Sequence, residues 1–382
     1  MSAVVEIDNR ASDADAIAAG LMRRARVAQE SFADADQARV DEAVRAIAWS
    51  LYKPEHAREL AELAVEDTGL GNVPDKIIKK QRKTFGTLRD LLRAKSVGEI
   101  ERDDKRGIVK FAKPMGVIGA ITPSTNPGAT PVNKTMMAIK GRNAVIIAPS
   151  PLGYRTTALA VEYMREALGA IGLPKDLVQI LPNPVTKDTT QAIMEAVDLV
   201  VVTGSQDNVR RAYRSGTPAI GVGAGNVPVI IDETADLASA AQKICASKTF
   251  DNATSCSSEN AVVIVSSVYD AAIAALTKAG GYLVDETQKA RVQSELWKNG
   301  KLNRHLIARD MPILAESFEL PAEAASAKFL MVEETGIGKA YPLSGEKLAL
   351  VLTVYLTGTA ASPAERDATH AAVARAVAAA LG

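Results

Sequence analysis

Polar and apolar positions change rhythm partway along this chain. From about Ser12 to Ala94, alanines and longer apolar residues recur at three- and four-residue spacing among charges. That spacing predicts helices, with Asp36 and Lys53-Pro54 marking breaks between them. From Gly107 the pattern shifts to short apolar runs: Val117 to Ile121, Ala144 to Ala148, Leu177 to Leu181 and Leu199 to Thr203. Helical segments near 129–140, 155–170, 187–196 and 206–215 separate and follow them. Strands spaced by helices of this length predict right-handed βαβ units, a mostly parallel sheet and an α/β fold. Thr217 to Asp232 holds two short strands broken by Gly221-Val-Gly-Ala-Gly225, and a second strand-and-helix series runs from about Ala235 to Tyr355. The tail, Ala364 to Gly382, is alanine-rich and has almost no large apolar side chain, so a loosely held helix is expected there.

Composition narrows the class. A chain of 382 residues exceeds what one core comfortably supports, so two domains are expected. Its 47% hydrophobic content is that of a soluble globular protein. Forty-five basic and forty-five acidic residues cancel, which gives no reason to expect a nucleic-acid partner. Two cysteines without a pairing pattern fit a reducing compartment. Neither a secretory signal nor a run long enough to span a membrane is evident, so a cytoplasmic location is expected.

Chemistry concentrates at three turns. Cys256 lies in Ser247-Lys-Thr-Phe-Asp-Asn-Ala-Thr-Ser-Cys256-Ser-Ser-Glu-Asn260, a polar stretch between a helix-like run and an apolar strand. A thiol so placed is poised to react, whereas Cys245, in an amphipathic helix, reads as core. Thr122-Pro-Ser-Thr-Asn126-Pro-Gly128 closes the first βαβ strand, at the carboxyl end where open parallel sheets bind ligands. An Asn126 amide there serves either as a donor to an oxyanion or as a helix cap. Thr203-Gly204-Ser205 closes another strand; its N–H groups can receive phosphate, and Ser205 can equally be an ordinary N-cap. No Gly-x-Gly-x-x-Gly follows the first strand, and a strand rather than a helix follows Gly221, Gly223 and Gly225. His56, His305 and His370 are not at ligand spacing to a cysteine, so no metal site is expected.

Several of these stretches together resemble one family. Pro114-Met-Gly-Val-Ile-Gly-Ala-Ile-Thr-Pro-Ser-Thr-Asn-Pro127, Lys140-Gly-Arg-Asn-Ala-Val-Ile-Ile-Ala-Pro-Ser-Pro151, Gly221-Val-Gly-Ala-Gly-Asn-Val-Pro228, Ser247-Lys-Thr-Phe-Asp-Asn252 and Glu346-Lys-Leu are similar to the CoA-acylating branch of the aldehyde dehydrogenase superfamily. The match runs in order over about residues 12–355, and around Cys256 it is most similar to the acylating sulfoacetaldehyde dehydrogenases. The resemblance implies a Rossmann-type NAD(P)-binding domain over residues 1–230, with N-terminal helices, and an α/β catalytic domain over 231–355. It implies Cys256 as nucleophile and Asn126 as oxyanion donor. Thr122, Pro123 and Ser124 would line the nicotinamide side, with Ser150 by the adenosine ribose, Gly204 and Ser205 by the pyrophosphate and Glu346 by the nicotinamide ribose. Lys134 matches a lysine near the active site of hydrolytic relatives; its alternative is a solvated helix lysine. A small aldehyde and coenzyme A are the implied partners, with NADP or NAD as cofactor and a homo-oligomer as the assembly.

Departures from the family refine the expectation. Hydrolytic relatives place a glutamate base where this chain has Val222, so water would lack a proton acceptor, whereas a thiol acceptor needs no such help. NAD-selective relatives place a carboxylate where Pro151 stands, so NADP⁺ is favoured and NAD⁺ not excluded. Beyond Tyr355 the chain departs from the family, and residues 356–382 form a divergent tail. That departure suggests a truncated or frame-shifted end lacking part of the substrate pocket and the usual oligomer contacts. The alternatives are therefore an impaired NAD(P)-binding remnant, or an acylating enzyme for acetaldehyde or succinic semialdehyde. For a sulfonate, Arg155, Arg214 and Lys248 are the candidate cations.

Overall fold

The structure is a computed structural model describing residues 9–358, with side chains from residue 13. It divides into two compact units, Met1–Thr68 with Lys76–Gly223, and Gly69–Asp75 with Ala224–Gly382.

The first unit begins with helices α1 (Asn9–Phe32), α2 (Gln37–Tyr52), α3 (Pro54–Thr68) and most of α4 (Val73–Arg93). The anticipated breaks hold for physical reasons. Asp36 caps α2 by accepting the Arg39 N–H at 2.8 Å, and Pro54, whose missing N–H is no loss in a first turn, opens α3. An antiparallel hairpin, β1 (Gly98–Asp103) and β2 (Ile108–Ala112), follows. It is absent from the sequence reading because Ile100, Ile108 and Phe111 are all exposed, leaving no inward-facing alternation to detect.

The sheet of this unit comprises β3 (Val117–Thr122), β4 (Ala144–Pro149), β5 (Val178–Ile180), β6 (Leu199–Thr203) and β7 (Ala219–Val222). Between them lie α5 (Thr130–Lys140), α6 (Tyr154–Ala170), α7 (Lys187–Ala196) and α8 (Gln206–Arg214). The strands are parallel in the order β5-β4-β3-β6-β7. Every residue of β3 and β4 is buried, as expected of strands covered on both faces.

The second unit carries another parallel sheet, ordered β10-β13-β14-β9-β8. Its elements are β8 (Pro228–Ile231), α9 (Leu237–Thr249), β9 (Ala261–Val265), α10 (Tyr269–Lys278), β10 (Gly281–Leu283), α11 (Glu286–Leu296), a small ribbon β11 (Trp297–Lys298) and β12 (Lys301–Leu302), α12 (Met311–Ser317), α13 (Ala322–Ala325), β13 (Phe329–Glu333) and β14 (Val351–Thr357). The expected boundary at 230 falls inside β8. That strand pairs with β9, Val229 opposite Val262, so the chain changes unit at 223/224 instead. Residues 359–382, which hold nearly all of the expected divergent tail and its helix, lie outside the described residues. Among the described residues no helix is long and apolar enough to cross a membrane.

Gly119, in the middle of β3, marks a close approach. A Cβ there would fall 2.9 Å from Val197 Cγ2 and 3.4 Å from Ile193 Cγ2, so α7 packs directly over the strand backbone. Gly119→Val is expected to lower unfolding free energy by about 2 kcal/mol through overpacking. Urea denaturation measures this, and an unchanged midpoint would mean that α7 yields without cost.

Candidate active site

In the first unit the chain builds outward from β3 through β4 to β5, then crosses back to β6 on the other side. The carboxyl ends of β3 and β6 therefore flank a topological switch point, where open α/β sheets leave a crevice. Strand register sets Thr122 opposite Pro149, Ile121 opposite Val202 and Thr203 opposite Val222. Thr122, Pro123, Ser124, Ser150, Gly204 and Ser205 thus share one edge of one sheet. The Ser150 N–H donates to the Thr122 carbonyl at 3.0 Å, and the Gly204 N–H to the Val222 carbonyl at 3.2 Å. Ser205 Oγ accepts the Asn208 N–H at 3.3 Å and so caps α8. Thr122 Oγ1 is buried and has no hydrogen-bond partner among the described residues. The switch point, with the Ser205-capped N-terminus of α8 on its edge, fits the phosphates of a dinucleotide.

The Asn126 side chain does not take the capping role that was one of its two readings. The first turn of α5 is satisfied by the Asn126 backbone carbonyl, which accepts from Ala129 and Thr130 N–H at 3.3 and 3.1 Å. The α5 cap residue is Ala129, with no side-chain bond. The Asn126 side chain is therefore not a cap: Oδ1 accepts from Lys79 Nζ at 3.1 Å, and Nδ2 has a long 3.4 Å contact with Thr125 Oγ1. Lys134 is not a solvated helix lysine. It is buried and ties β3 to β6 by donating to the Ile121 carbonyl at 3.0 Å and the Val201 carbonyl at 2.6 Å. Burial lowers its pKa to about 7.

In the second unit the loop that carries Cys256 leaves α9 through three consecutive left-handed residues, Asp251 (φ 50°), Asn252 (φ 51°) and Ala253 (φ 60°). Each costs roughly 1 kcal/mol relative to a right-handed conformation. Side-chain bonds hold the turn. Asp251 accepts the Asn72 N–H at 3.0 Å and the Thr254 hydroxyl at 2.5 Å, while its own N–H donates to Asp75 Oδ2 at 2.7 Å. Asn252 donates to Asp310 Oδ1 at 2.7 Å and to the Ala308 carbonyl at 3.3 Å. The loop then presents Cys256 exposed, flanked by buried Thr254 and Ser258. Cys245 is buried, its thiol donates to the Ala279 carbonyl, and burial raises its pKa, as a core cysteine requires.

Gly225 brings Cys256 and Glu346 together. A Cβ on Gly225 would lie 3.3 Å from the Cys256 carbonyl oxygen, 3.5 Å from Cys256 Cβ and 3.7 Å from Glu346 Oε1. Burial raises the Glu346 carboxyl above its ordinary range, opposed by the Gly225 backbone hydrogen bond. Beneath these residues sits Lys347, fully buried, donating to Leu343 O at 2.7 Å, Thr353 Oγ1 at 2.9 Å, Asn260 O at 3.1 Å and Gly345 O at 3.2 Å. Asn260 Nδ2 bonds Gly345 O at 2.6 Å and Asn226 Oδ1 at 2.7 Å, and Asn226 in turn donates to Ser344 O at 3.0 Å. Asn226, Asn260 and Lys347 stand within the motifs read from the sequence, but only their neighbours Cys256 and Glu346 were assigned a role. A lysine immediately before an apolar strand was the available signal for a buried cation.

Of the candidate sulfonate cations, one is paired, one is buried and one is exposed. Arg155 pairs with Glu66 at 2.9 Å and Asp67 at 3.5 Å. Lys248 is buried, which lowers its pKa to about 7 against the opposing charge of Glu259. Arg214 is exposed at the end of α8. Among the described residues no group of three or more His, Cys, Asp or Glu is placed to hold a metal ion.

The aldehyde dehydrogenase family profile matches residues 5–292. The acylating sulfoacetaldehyde dehydrogenase of Cupriavidus necator is 52% identical over 93% of this chain and 72% of its own. Among solved structures, an acetylating aldehyde dehydrogenase from Geobacillus thermoglucosidasius superposes with a TM-score of 0.87 at 34% identity, covering 97% of this chain and 80% of that one. A Rhodopseudomonas palustris propionaldehyde dehydrogenase with bound CoA and an acylated cysteine gives 0.78 at 25% identity, covering 90% and 77%. A nucleotide-type switch point in one unit and a cysteine loop in the other are features of such an oxidoreductase. The chain belongs to the aldehyde dehydrogenase family, and its match to acylating members extends over nearly its whole length.

Three buried lysines have lowered pKa values, and those of Lys134 and Lys248, near 7, set a pH dependence above neutrality. Lys134 and Lys248 titrate near 7 when folded and near 10.5 when unfolded, so the unfolded chain binds more protons between those values. Stability is therefore expected to rise with pH across that window, by at most about 1.4 kcal/mol per pH unit for each lysine. Chemical denaturation at pH 7, 8 and 9 measures it. Lys134→Met should flatten the slope, and a slope unchanged in that variant would refute the assignment.

Proposed function

We propose that this protein oxidises a small aldehyde to its acyl-CoA, with Cys256 as the nucleophile. The observation that carries the reading is the exposed Cys256 on its braced loop beside Gly225 and Glu346, in a chain matching acylating relatives throughout. In the first step the Cys256 sulfur adds to the aldehyde carbon: a C–S bond forms, and the carbonyl π electrons move onto oxygen. Asn126 Nδ2 donates to that oxygen, an interaction worth about 3 kcal/mol where measured in related chemistry. A bound oxidised nicotinamide would supply the hydride acceptor needed to take the Cys256 thiohemiacetal to the thioester. The coenzyme A thiol, having lost its proton to solvent, then attacks the thioester carbon as the thiolate, the acyl–Cys256 bond breaks, and the cysteine sulfur leaves with its electron pair.

Thr122, Pro123, Ser124, Ser150, Gly204 and Ser205 hold the dinucleotide in this reading, with Glu346 at the nicotinamide ribose. Pro151, exposed after Ser150, presents no carboxylate to repel a 2′-phosphate, which supports NADP⁺ over NAD⁺. The acceptor follows from Val222. It lies exposed at the end of β7 and cannot take a proton from water, whereas a thiol acceptor needs no such base. Sulfoacetaldehyde is the proposed substrate, supported by the name and 52% identity of the Cupriavidus relative. The comparisons lend no support to a binding-only remnant.

Cys256→Ala is expected to abolish CoA-dependent NADP⁺ reduction and acyl-enzyme formation while leaving dinucleotide affinity unchanged. Retained turnover would remove Cys256 from the mechanism. An assay of sulfoacetaldehyde, acetaldehyde and succinic semialdehyde should show preference for the sulfonate, and equal rates would defeat that choice. Val222→Glu should raise free acid relative to acyl-CoA, measured by chromatography of the products. No increase would mean that the acceptor is decided elsewhere.

A further inference from the structure

An asparagine side chain has two chemically opposite ends of nearly equal shape: Oδ1 accepts and Nδ2 donates. Asn126 can stabilise an oxyanion only if its NH₂ end faces the reacting carbon, so something must distinguish the two orientations. Lys79 Nζ lies 3.1 Å from Oδ1, and Lys79 is 4% exposed on the inward face of α4. An ammonium group has donors and no acceptor, so only the oxygen end of the amide can meet it. The reversed amide would set NH₂ against NH₃⁺ and lose a charge-assisted hydrogen bond.

We propose that Lys79 is a positioning residue that locks the Asn126 amide with its NH₂ end free for the substrate oxygen. This rests on the reading of Asn126 as the oxyanion donor. The other contacts of the turn agree. Asn126 Nδ2 carries two hydrogens, and its 3.4 Å contact with Thr125 Oγ1 occupies at most one of them. One residue further along α4, Lys80 Nζ occupies the space a Cβ on Gly128 would need, so α4 seats two lysines against the Asn126-Pro-Gly128 turn. Orientation is one consequence of the ammonium and polarisation is another. Electron density drawn towards Oδ1 leaves the Nδ2 hydrogens more positive, and hydrogen bonds in series strengthen one another. The effect is largest when negative charge develops on the substrate oxygen, so it belongs to the transition state rather than to substrate binding.

The test is a double-mutant cycle in the full-length protein, read by steady-state CoA-dependent NADP⁺ reduction. Lys79→Met is expected to lower kcat about tenfold with little change in KM or in NADP⁺ affinity, a fraction of the loss on deleting an oxyanion donor. Lys79→Arg, which keeps the charge and donors, should recover most of the activity. In the Asn126→Ala background, Lys79→Met should cause no further loss, because the group it orients is gone. Lys79→Gln, a second variant that restores a neutral donor able also to accept, should fall between Met and Arg. An equal loss from Lys79→Met in both backgrounds, or a change confined to KM, would overturn the positioning role while leaving Asn126 as donor. A kcat unchanged in Asn126→Ala alone would instead overturn the donor reading, and this inference with it.

Discussion

A single buried lysine amino group underlies the geometry of the cysteine unit. Lys347 has no exposure to solvent, and burial drives its pKa well below the ordinary lysine value, with the nearby charge of Lys248 adding to the effect. Burial disfavours the charged amine, and in either protonation state several well-placed acceptors must satisfy its buried N–H groups. Here three carbonyls and a hydroxyl do so, and they come from Asn260, Leu343, Gly345 and Thr353. The strand that follows Cys256, the turn that carries Glu346 and the central strand β14 thereby share one centre. The relative placement of Cys256 and Glu346 follows from it, because each lies only a few residues from a carbonyl that this lysine holds.

The same chemistry recurs in the first unit with a different purpose. Lys134 spans β3 and β6 by bonding Ile121 and Val201, across the hydrogen-bonded pair of strands whose carboxyl ends flank the switch point. A parallel sheet already pairs its own amides and carbonyls, so a lysine bridging two of its carbonyls stiffens the crevice floor rather than forming the sheet. The polar residues at the crevice mouth are then mounted on strands that resist spreading.

Most of the fold was legible in the sequence because its signals are local. Helices α5 to α8 and strands β3, β4 and β6 announce themselves by period and by Val- and Ile-rich runs, and Asp36 and Pro54 mark breaks that depend on one or two residues. Cys256 was legible because a thiol among serines lacks the surroundings of a core residue. What escaped depends on distant partners. The hairpin β1–β2 buries little of its own surface, so its sequence carries no face. The change of unit at 223/224 is decided by which sheet β8 joins. The roles of Lys79, Lys134 and Lys347 turn on carbonyl and amide oxygens brought to them by the fold, and a lysine on paper looks the same whether solvated or enclosed. The side-chain bond at Asn126 likewise depends on a helix 47 residues earlier in the chain.

The left-handed turn before Cys256 is fastened by residues far back in the chain: Asn72 and Asp75 reach Asp251 across separations of 179 and 176 positions. The cysteine unit is therefore discontinuous, and a fragment beginning at Ala224 would lack the short Gly69–Asp75 segment that belongs to it. In such a fragment Asp251 would lose its bonds to Asn72 and Asp75, and the three strained residues could relax towards ordinary helical angles. Any attempt to excise, permute or graft this half of the protein must bring that seven-residue piece along, or the sulfur will no longer be carried on the loop that aims it.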